Sequence, residues 1–343
     1  MSPPPILLVG GTGKVGRWTA RLLREEHPQI RFLIGGRNLE KAEDFARELG
    51  SAEAVAIDLT ASDLGLGDRQ LSAVAVFFTE DRLATVRFAQ SRSVPHISIS
   101  RALFEIGPEI AYFTQRPSTS PVVLGTEWLV GATTMPILSF AKAFGKIERI
   151  SIGALLDEED ATGPAGFADF DRQNAVMPSA LIRRSGEFHW LTGDKVKTSF
   201  NAADGTQTEA AAFSVNDVIG LAAALDVPDI EFKLAIGTTS SRRRGEAFST
   251  EIIIEMEGQD HSGAPLFAHR AITHPLGQMP LTGLGVALVL QRLLGLDGQA
   301  PTAPGIYLPY QLLEPDAYLA RFKRVGGVIL DLAKRSPGGR HDA

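Results

Sequence analysis

The chain has 343 residues, of which 44% are hydrophobic and 22% charged, a balance typical of globular proteins with enough material for two domains. Its formal net charge of -6, with both signs mixed along the sequence, argues against a general nucleic-acid binder or a protein of anionic membrane surfaces. Cysteine is absent, which excludes disulfides, thiolate catalysis and cysteine-based metal sites.

The opening residues and the apolar segments of the sequence give no indication of targeting to a membrane. The opening Met-Ser-Pro-Pro-Pro lacks the basic and apolar regions of a signal peptide. The most apolar later segment, residues 284–296, is interrupted by Gln291 and Arg292 and is too short to span a bilayer. We therefore expect a soluble cytoplasmic protein with no nucleic-acid and no membrane partner.

The most informative stretch of the sequence is an apolar run, residues 6–9, followed at once by closely spaced glycines. Apolar residues at helical spacing come next, so the pattern predicts a strand, a tight turn and the first turn of a helix. Three of the glycines fill a G-x-G-x-x-G frame, which lets a pyrophosphate approach the backbone at a helix start. The alternative is an ordinary glycine-rich turn of another α/β protein. The predicted pyrophosphate-binding residues are Gly10, Gly11, Thr12, Gly13, Lys14, Val15 and Gly16.

Short apolar runs then alternate with amphipathic segments over the first third of the chain, which predicts a parallel, doubly wound sheet with ligands at the carboxyl ends of its strands. A weak helical stretch is expected after the third strand. The predicted strands are residues 30–36, 54–57, 73–78, 96–100 and 122–124, and the predicted helices are residues 39–49, 81–91 and 102–113.

The end of the second predicted strand indicates which dinucleotide binds. An acidic residue about 20 positions after the glycines would bind the ribose 2′-hydroxyl of NAD, but residues 32–39 contain no Asp or Glu. Arg37 and Asn38 stand there instead, with Lys41 one helical turn further on, and a guanidinium suits a 2′-phosphate. The sequence therefore favours NADP(H) as cofactor. The alternative is that Arg37 is a solvated residue at a helix start.

Three further residues follow predicted strands of the same sheet. Asp58 either meets the adenine or caps the segment that begins at Thr60. Phe78 and Thr79 end the fourth strand, and we expect them near the pyrophosphate and the nicotinamide ribose.

The remaining sequence predicts a second, α+β domain. Residues 248–256 alternate between apolar and polar, as a half-buried antiparallel strand does, and residues 266–273 return along it after a turn. One apolar face of this sheet would cover the substrate or pair with a second subunit. Further strands are predicted at residues 147–155 and 187–191, and helices at residues 215–225, 284–296 and 315–334.

Known catalytic patterns are mostly missing. No tyrosine is followed four residues later by lysine, which disfavours a short-chain dehydrogenase of the usual kind. The seven histidines are scattered without an H-E-x-x-H, so no metal site is predicted. His189, beside Trp190, is a candidate general acid, with a structural or surface role as the alternative. The arginines at 183–184 and 242–244 either bind substrate carboxylates or lie in solvated loops.

Taken together, these motifs resemble the saccharopine dehydrogenase-like family of NADP-dependent reductases. The resemblance covers most of the chain and begins with Val-Gly-Gly-Thr-Gly-Lys-Val-Gly and Gly-Arg-Asn. The segments that carry it are residues 9–16, 36–38, 96–100, 123–128, 256–263, 273–275, 281–287, 293–295 and 304–309.

The resemblance implies a dinucleotide-binding domain, residues 1–126, that returning helices at 281–335 complete. It also implies an inserted α+β domain, residues 127–280, followed here by a flexible tail at 336–343. Family members are often homodimers that reduce an imine formed from an amine and an oxo acid. The family loop that enters the cleft usually reads Gly-Phe-Asp-Pro-Gly, whereas residues 127–131 read Glu-Trp-Leu-Val-Gly, which argues against saccharopine as the substrate.

The sequence therefore predicts an NADP(H)-dependent oxidoreductase that reduces a C=N bond of a small-molecule substrate. The candidate catalytic residues are His189 and Glu127, and Trp128 is a candidate substrate contact. Two alternatives stay open: an enoyl or carbonyl reductase on the same scaffold, and a non-catalytic regulator that senses NADP.

Overall fold

The computed structural model describes residues 3–99, 101–160, 172–173 and 175–333. The chain forms two compact units, each of which draws on several segments of the sequence. The first unit comprises Met1–Ala132, Thr162–Met177 and Met279–Tyr318, and the second comprises Thr133–Ala161, Pro178–Gln278 and Leu319–Ala343. Ser100 and the predicted tail at 336–343 lie outside the described residues.

The first unit is a parallel sheet with helices between its strands. The strands are β1 (Ile6–Val9), β2 (Phe32–Gly36), β3 (Ala52–Ala56), β4 (Ala73–Val76), β5 (His96–Ile99), β6 (Val122–Gly125) and β15 (Ile306–Tyr307). The helices are α1 (Lys14–Glu26), α2 (Leu39–Leu49), α3 (Ala84–Ser91), α4 (Gly107–Phe113) and α8 (Met279–Leu294), with short 3-10 helices at Leu103–Glu105 and Pro309–Gln311.

The order of the strands identifies the topology. The sheet runs β15-β6-β5-β4-β1-β2-β3, and every pair in it is parallel. Apart from β15 at the edge, this is the doubly wound order, in which the direction of winding reverses between β1 and β4. Ligands bind outside the carboxyl ends of the strands at such a reversal. The predicted α/β class, a Rossmann sheet with a second α+β unit, is thereby confirmed.

The core of this sheet explains why its strands are short apolar runs rather than alternating ones. All four residues of β1, β4, β5 and β6 are buried, because helices cover both faces of a parallel sheet. Helix α8 is buried along most of its length for a related reason, since it packs against α1. No helix among the described residues is long and apolar enough to cross a membrane.

The second unit is built on a mixed sheet. Its path runs β10-β11-β12-β7-β13-β14-β16, and the β8–β9 hairpin joins it through β12. The strands are β7 (Phe144–Asp157), β8 (Ser179–Arg184), β9 (Glu187–Thr192), β10 (Lys197–Asn201), β11 (Gln207–Ala212), β12 (Asp229–Gly237), β13 (Thr250–Asp260), β14 (Pro265–His274) and β16 (Val328–Asp331). The helices are α5 (Thr134–Ala141), α6 (Asp217–Leu225), α7 (Ser240–Arg243) and α9 (Pro315–Arg324, which also contributes to the first unit), with a 3-10 helix at Gly193–Val196.

The position of the long hairpin was predicted correctly, but the burial of its first strand was not. Strands β13 and β14 pair antiparallel, as the alternation indicates. However, Ile253 and Glu251, which belong to the polar face of the pattern, are both buried. Phe200 and Leu330 pack on that face around Ile253, and Glu251 accepts hydrogen bonds from the backbone N–H of Ala203 and from Ser240. The prediction of a half-buried strand is therefore wrong for the first half of β13.

Two predicted helices are also corrected. The helix expected at 315–334 ends at Arg324, because Gly326 adopts a left-handed φ of 97° and the chain then forms β16, which pairs with β14. The weak helical stretch expected after the third strand is a series of turns, in which Leu64 and Gly65 have positive φ.

The buried histidine at the start of β5 makes the fold sensitive to acid. His96 is fully buried with its Nε2 3.2 Å from the Thr85 hydroxyl, and burial, with a smaller effect of Arg101, lowers its pKa to about 3. An unfolded histidine has a pKa of about 6.5, so between these values only the unfolded state takes up the proton. The contribution of His96 to stability is therefore present above about pH 6.5 and declines towards about pH 3.

We predict that in His96→Gln the free energy of unfolding falls less steeply as the pH is lowered, by up to about 1.4 kcal/mol per pH unit. Urea unfolding at several pH values between 7 and 4 measures the slope, with the half-exposed His189 changed to Gln as the matched control. Equal slopes in the two variants would contradict the assignment.

Candidate active site

The glycine loop after β1 brings backbone against backbone at the start of α1. Gly10 has a left-handed φ of 81°, and a Cβ there would lie 3.1 Å from the ring of Phe78. A Cβ on Gly16 would lie 2.7 Å from the Cα of Gly11, which a real side chain does not tolerate. Glycine at position 16 thus allows α1 to pack closely against the loop. Gly10, with its left-handed φ, makes the turn.

The amino terminus of α1 differs from those of the three helices that follow it. The cap residue is Gly13, which has no side chain to accept a hydrogen bond, and the first turn contains no acidic residue. By contrast, Asn38 caps α2, the Glu80 carboxylate accepts from Thr85 in the first turns of α3, and Glu109 stands in the first turn of α4. Since the first N–H groups of a helix have no intrahelical acceptor, α1 presents donors and a positive dipole end to an anion.

Arg17 holds this loop, and sequence reasoning overlooked it. Its Nε donates to the Thr12 carbonyl at 3.1 Å, its Nη1 donates to Glu48 on α2 at 3.0 Å, and its guanidinium lies 4.3 Å from the centre of the Phe45 ring. The carbonyl of Thr12 is thereby held toward α1. In the sequence, the position of Arg17 directly after Gly16 is the only indication of this role.

The residues predicted to choose the dinucleotide stand together after β2. Arg37, Asn38 and Lys41 are all exposed, and the Asn38 side chain accepts from the backbone N–H of Lys41 at 2.9 Å. Asn38 is therefore the cap of α2, and this use of its side chain leaves Arg37 and Lys41 as the cations at the carboxyl end of β2.

Asp58 has a local role in the structure. Its Oδ1 accepts from both the backbone N–H of Thr60 at 2.8 Å and the Thr60 hydroxyl at 2.6 Å, and these bonds lower its pKa. This geometry agrees with the alternative that Asp58 caps the segment beginning at Thr60, although that segment is a turn rather than a helix. A contact of Asp58 with adenine stays a prediction.

A buried polar network joins the carboxyl ends of β4 and β5. Arg101 donates to the backbone carbonyl of Glu80, and its Nε lies 3.3 Å from Oε1 of Glu109. The Glu80 carboxylate in turn accepts from the backbone N–H groups of Arg82 and Thr85, at 2.7 and 3.1 Å. The loop that follows Phe78 and Thr79 is therefore fixed by charged groups from β5 and α4.

Glu109 is the least satisfied member of this network. Its Oε1 accepts from Ser98 at 2.9 Å, whereas no described residue bonds to its buried Oε2. Burial raises the pKa of Glu109, and the nearby Arg101 and Ser98 oppose that shift. Sequence reasoning did not identify these residues, because nothing in the spacing of 80, 98, 101 and 109 shows that they meet.

A second buried acid lies directly after β6. Glu127 is buried, and its Oε1 accepts from the backbone N–H of Tyr310 at 3.1 Å. Burial, together with the charge of Glu127, raises the pKa values of Tyr310 and the fully buried Tyr318. The two predicted residues Glu127 and Trp128 thus stand at the carboxyl end of the sheet, and two tyrosines from the returning segment accompany them.

The other candidate catalytic residue, His189, lies in the second unit, whereas Glu127 belongs to the first. His189 is on β9, its side chain is half exposed, and its Nε2 is 3.8 Å from a carboxylate oxygen of Glu187. Nothing around it in the second unit distinguishes it from a surface residue.

The arginine runs are largely engaged by acids of the same unit. Arg242 pairs with Asp157 at 2.8 Å, Arg243 pairs with Asp204 at 2.7 Å, and Arg183 pairs with Asp226 at 3.1 Å. These pairs argue against substrate binding, and the alternative of solvated loops is wrong for Arg183, Arg242 and Arg243, which lie on β8 and α7. Within the described part of the chain, no group of His, Asp and Glu side chains could hold a metal ion.

Comparison with known proteins supports the architecture. No family model and no curated protein sequence matches the chain. Among solved structures, the chain is similar to apo saccharopine dehydrogenase (L-Glu forming) from Saccharomyces cerevisiae, with a TM-score of 0.62 and 14% identity over 96% of this chain and 100% of that one. It is also similar to homospermidine synthase from Legionella pneumophila in complex with NAD, with a TM-score of 0.61 and 12% identity over 100% and 95%. At such identities the likeness shows the fold.

The contacts of Arg17 generate a prediction about the loop itself. Arg17→Met keeps an apolar group over Phe45 but removes the hydrogen bond to Thr12, so we expect amide hydrogens of residues 10–16 to exchange about tenfold faster. Hydrogen exchange followed by mass spectrometry measures this. Arg21→Met is the matched control, because Arg21 also pairs with Glu48 yet does not bond to the loop. Equal exchange in both variants would mean that the bond to Thr12 does not hold the loop.

Proposed function

We propose that the protein is an NADP(H)-dependent oxidoreductase that reduces a C=N bond of a small metabolite. The observation that carries the proposal is the start of α1. There, a helix with no side-chain cap and no acidic residue in its first turn follows a glycine loop in which a Cβ on Gly11 or Gly16 would collide with the backbone, at the reversal of a doubly wound sheet. A pyrophosphate fits this combination, because the amino terminus of a helix and its dipole favour an anionic ligand.

The preference for a 2′-phosphate is argued from the end of β2. Arg37 and Lys41 are exposed there, and no acidic side chain follows the strand until Glu40, which lies in the first turn of α2. A ribose 2′-hydroxyl would need a carboxylate acceptor, whereas a 2′-phosphate needs cations. The similar homospermidine synthase was solved with NAD, so the preference rests on these residues of this chain.

NADPH, when bound, supplies the hydride. The chain's own residues then have three tasks: α1 and Gly10 receive the pyrophosphate, Phe78 and Thr79 border the ribose of the nicotinamide, and Glu127 with Trp128 border the substrate. The loops that carry these residues are fixed by Arg17, Arg101 and Tyr310, so little reorganisation is needed on binding.

The choice of a C=N bond rests on the resemblance of the sequence motifs to saccharopine dehydrogenase-like reductases. The likeness of the fold to a saccharopine dehydrogenase and a homospermidine synthase agrees with that choice. A screen of amine and oxo-acid pairs for oxidation of NADPH, with simple ketones and enoyl compounds as comparison substrates, tests the bond that is reduced.

Cofactor choice is the first test of the proposal. We predict that the wild type binds NADPH more tightly than NADH, and that Arg37→Ala weakens NADPH by about 10- to 100-fold and leaves NADH within about threefold. Fluorescence titration at one ionic strength measures both constants. The matched control is Arg31→Ala, because Arg31 is exposed just before β2, at the opposite end of the strand.

The two unfavourable outcomes differ in meaning. A wild type that prefers NADH would overturn the assignment of the 2′-phosphate site and leave the oxidoreductase proposal in place. Binding of neither dinucleotide would remove the main support for an enzyme of this kind.

The proton donor is tested once a substrate is known. If His189 is the general acid, His189→Ala lowers kcat by about 100- to 10,000-fold. Full activity of that variant would assign the proton transfer to another group.

A further inference from the structure

Three consecutive residues directly after Glu127 and Trp128 have left-handed backbone conformations. Their φ angles are 50° at Leu129, 56° at Val130 and 97° at Gly131. Two hydrogen bonds close the segment, from Val130 N–H to the Glu127 carbonyl at 2.9 Å and from Ala132 N–H to the Trp128 carbonyl at 3.1 Å. We call residues 129–131 the left-handed turn.

This turn is energetically unfavourable by itself. Left-handed φ is uncommon for residues other than glycine, and in a β-branched residue such as Val130 it is an outlier. Neither Leu129 nor Val130 has the short polar side chain that eases this conformation in Asn or Asp. Such strain persists only where the surrounding structure over-determines it, and it clusters at functional sites.

The surrounding structure here is helix α8. A Cβ on Gly285 would lie 2.1 Å from the carbonyl oxygen of Val130 and 2.7 Å from its Cβ, so the turn and the helix are in direct backbone contact. Val130 is buried in this contact. Two residues earlier, a Cβ on Gly283 would lie 2.5 Å from the Cβ of Trp18 on α1. One helix therefore packs closely on both the turn and the helix that starts at the glycine loop.

The residues just before the turn are fixed on both sides. The Glu127 carbonyl accepts the hydrogen bond from Val130 that closes the turn, and its carboxylate accepts from the backbone N–H of Tyr310. A right-handed path for residues 129–131 would send the chain in another direction. The position of Trp128, between these constraints, depends on the turn.

We propose that the left-handed turn, held by Gly285, is a positioning element that fixes Glu127 and Trp128 at the nicotinamide end of the dinucleotide site. The inference rests on the proposed function, because it assigns the turn to the binding of NADPH. Gly285, Leu129 and Val130 act through Glu127 and Trp128, so they are positioning residues.

The test uses Trp128 as its reporter. Trp18→Phe and Trp190→Phe leave Trp128 as the only tryptophan, because the sequence contains three. Bound NADP⁺ then quenches the emission of Trp128 by electron transfer to its nicotinamide ring, a process that requires near contact. Titration with 2′,5′-ADP, which lacks the nicotinamide half, separately measures the adenine end of the site.

In this background we compare Gly285→Ala with Gly283→Ala. Both variants place a methyl group in a tight contact of the same helix, yet only Gly285→Ala displaces the turn. We expect Gly285→Ala to lose at least about half of this quenching while affinity for 2′,5′-ADP stays within about threefold, because misplacement by about 1 Å is enough to disturb a positioned group. Gly283→Ala should retain the quenching, and so should Leu129→Gly, which accepts left-handed φ without strain.

The outcomes separate the inference from the proposed function. A wild type that binds neither NADPH nor 2′,5′-ADP would overturn the proposed function. If it binds both, no quenching of Trp128 by saturating NADP⁺, or equal quenching in Gly285→Ala and Gly283→Ala, would overturn the positioning role alone. If Gly285→Ala does not fold, Leu129→Val replaces it, since a β-branch disfavours left-handed φ without adding an atom at Gly285. Undiminished quenching in that variant would equally overturn the role.

Discussion

The close approach of α1 to the glycine loop is the constraint on which the rest of the first unit depends. With Gly16 lying over the Cα of Gly11, the helix starts after the short connection of residues 10–13 that follows β1. Its amino terminus, which has no side-chain cap, therefore lies at the reversal between β1 and β4. Any side chain at position 16 would move the helix away, and the donors with it. A single backbone contact thus links the packing of the sheet to the proposed pyrophosphate site.

Around this contact, charged side chains fix loops by bonding to backbone carbonyls. Arg17 donates to Thr12, and Arg101 donates to Glu80, so the loops after β1 and β4 are held from neighbouring elements. These hydrogen bonds to charged donors are stronger than neutral ones and are partly or fully shielded from water. The edge of the sheet is consequently organised before a ligand arrives, which favours binding because less conformational entropy is lost.

The sequence predicted what local patterns specify. Glycine spacing, short apolar runs and helical periodicity are local signals, and the parallel sheet and the bounds of α2 agree with them. The Arg101–Glu109 contact joins distant positions whose meeting depends on the packed fold, so no spacing reveals it. The buried Glu251 shows the same limit, because its partners Ala203 and Ser240 come from other segments. At 315–334 the signal was present in Gly326 and Gly327, and helical periodicity was given too much weight.

The left-handed turn after β6 shows why a site can contradict its own sequence. Leu129 and Val130 favour extended or right-handed backbone, so a pattern-based reading of Trp-Leu-Val-Gly gives no hint of three positive φ angles. The conformation is imposed from outside, by a helix that has glycine where the turn needs space. Local preference and tertiary packing disagree at few places in a well-folded chain, and those places are where function most often requires a particular geometry. This disagreement falls directly beside Glu127 and Trp128, which supports the proposal that they border the substrate.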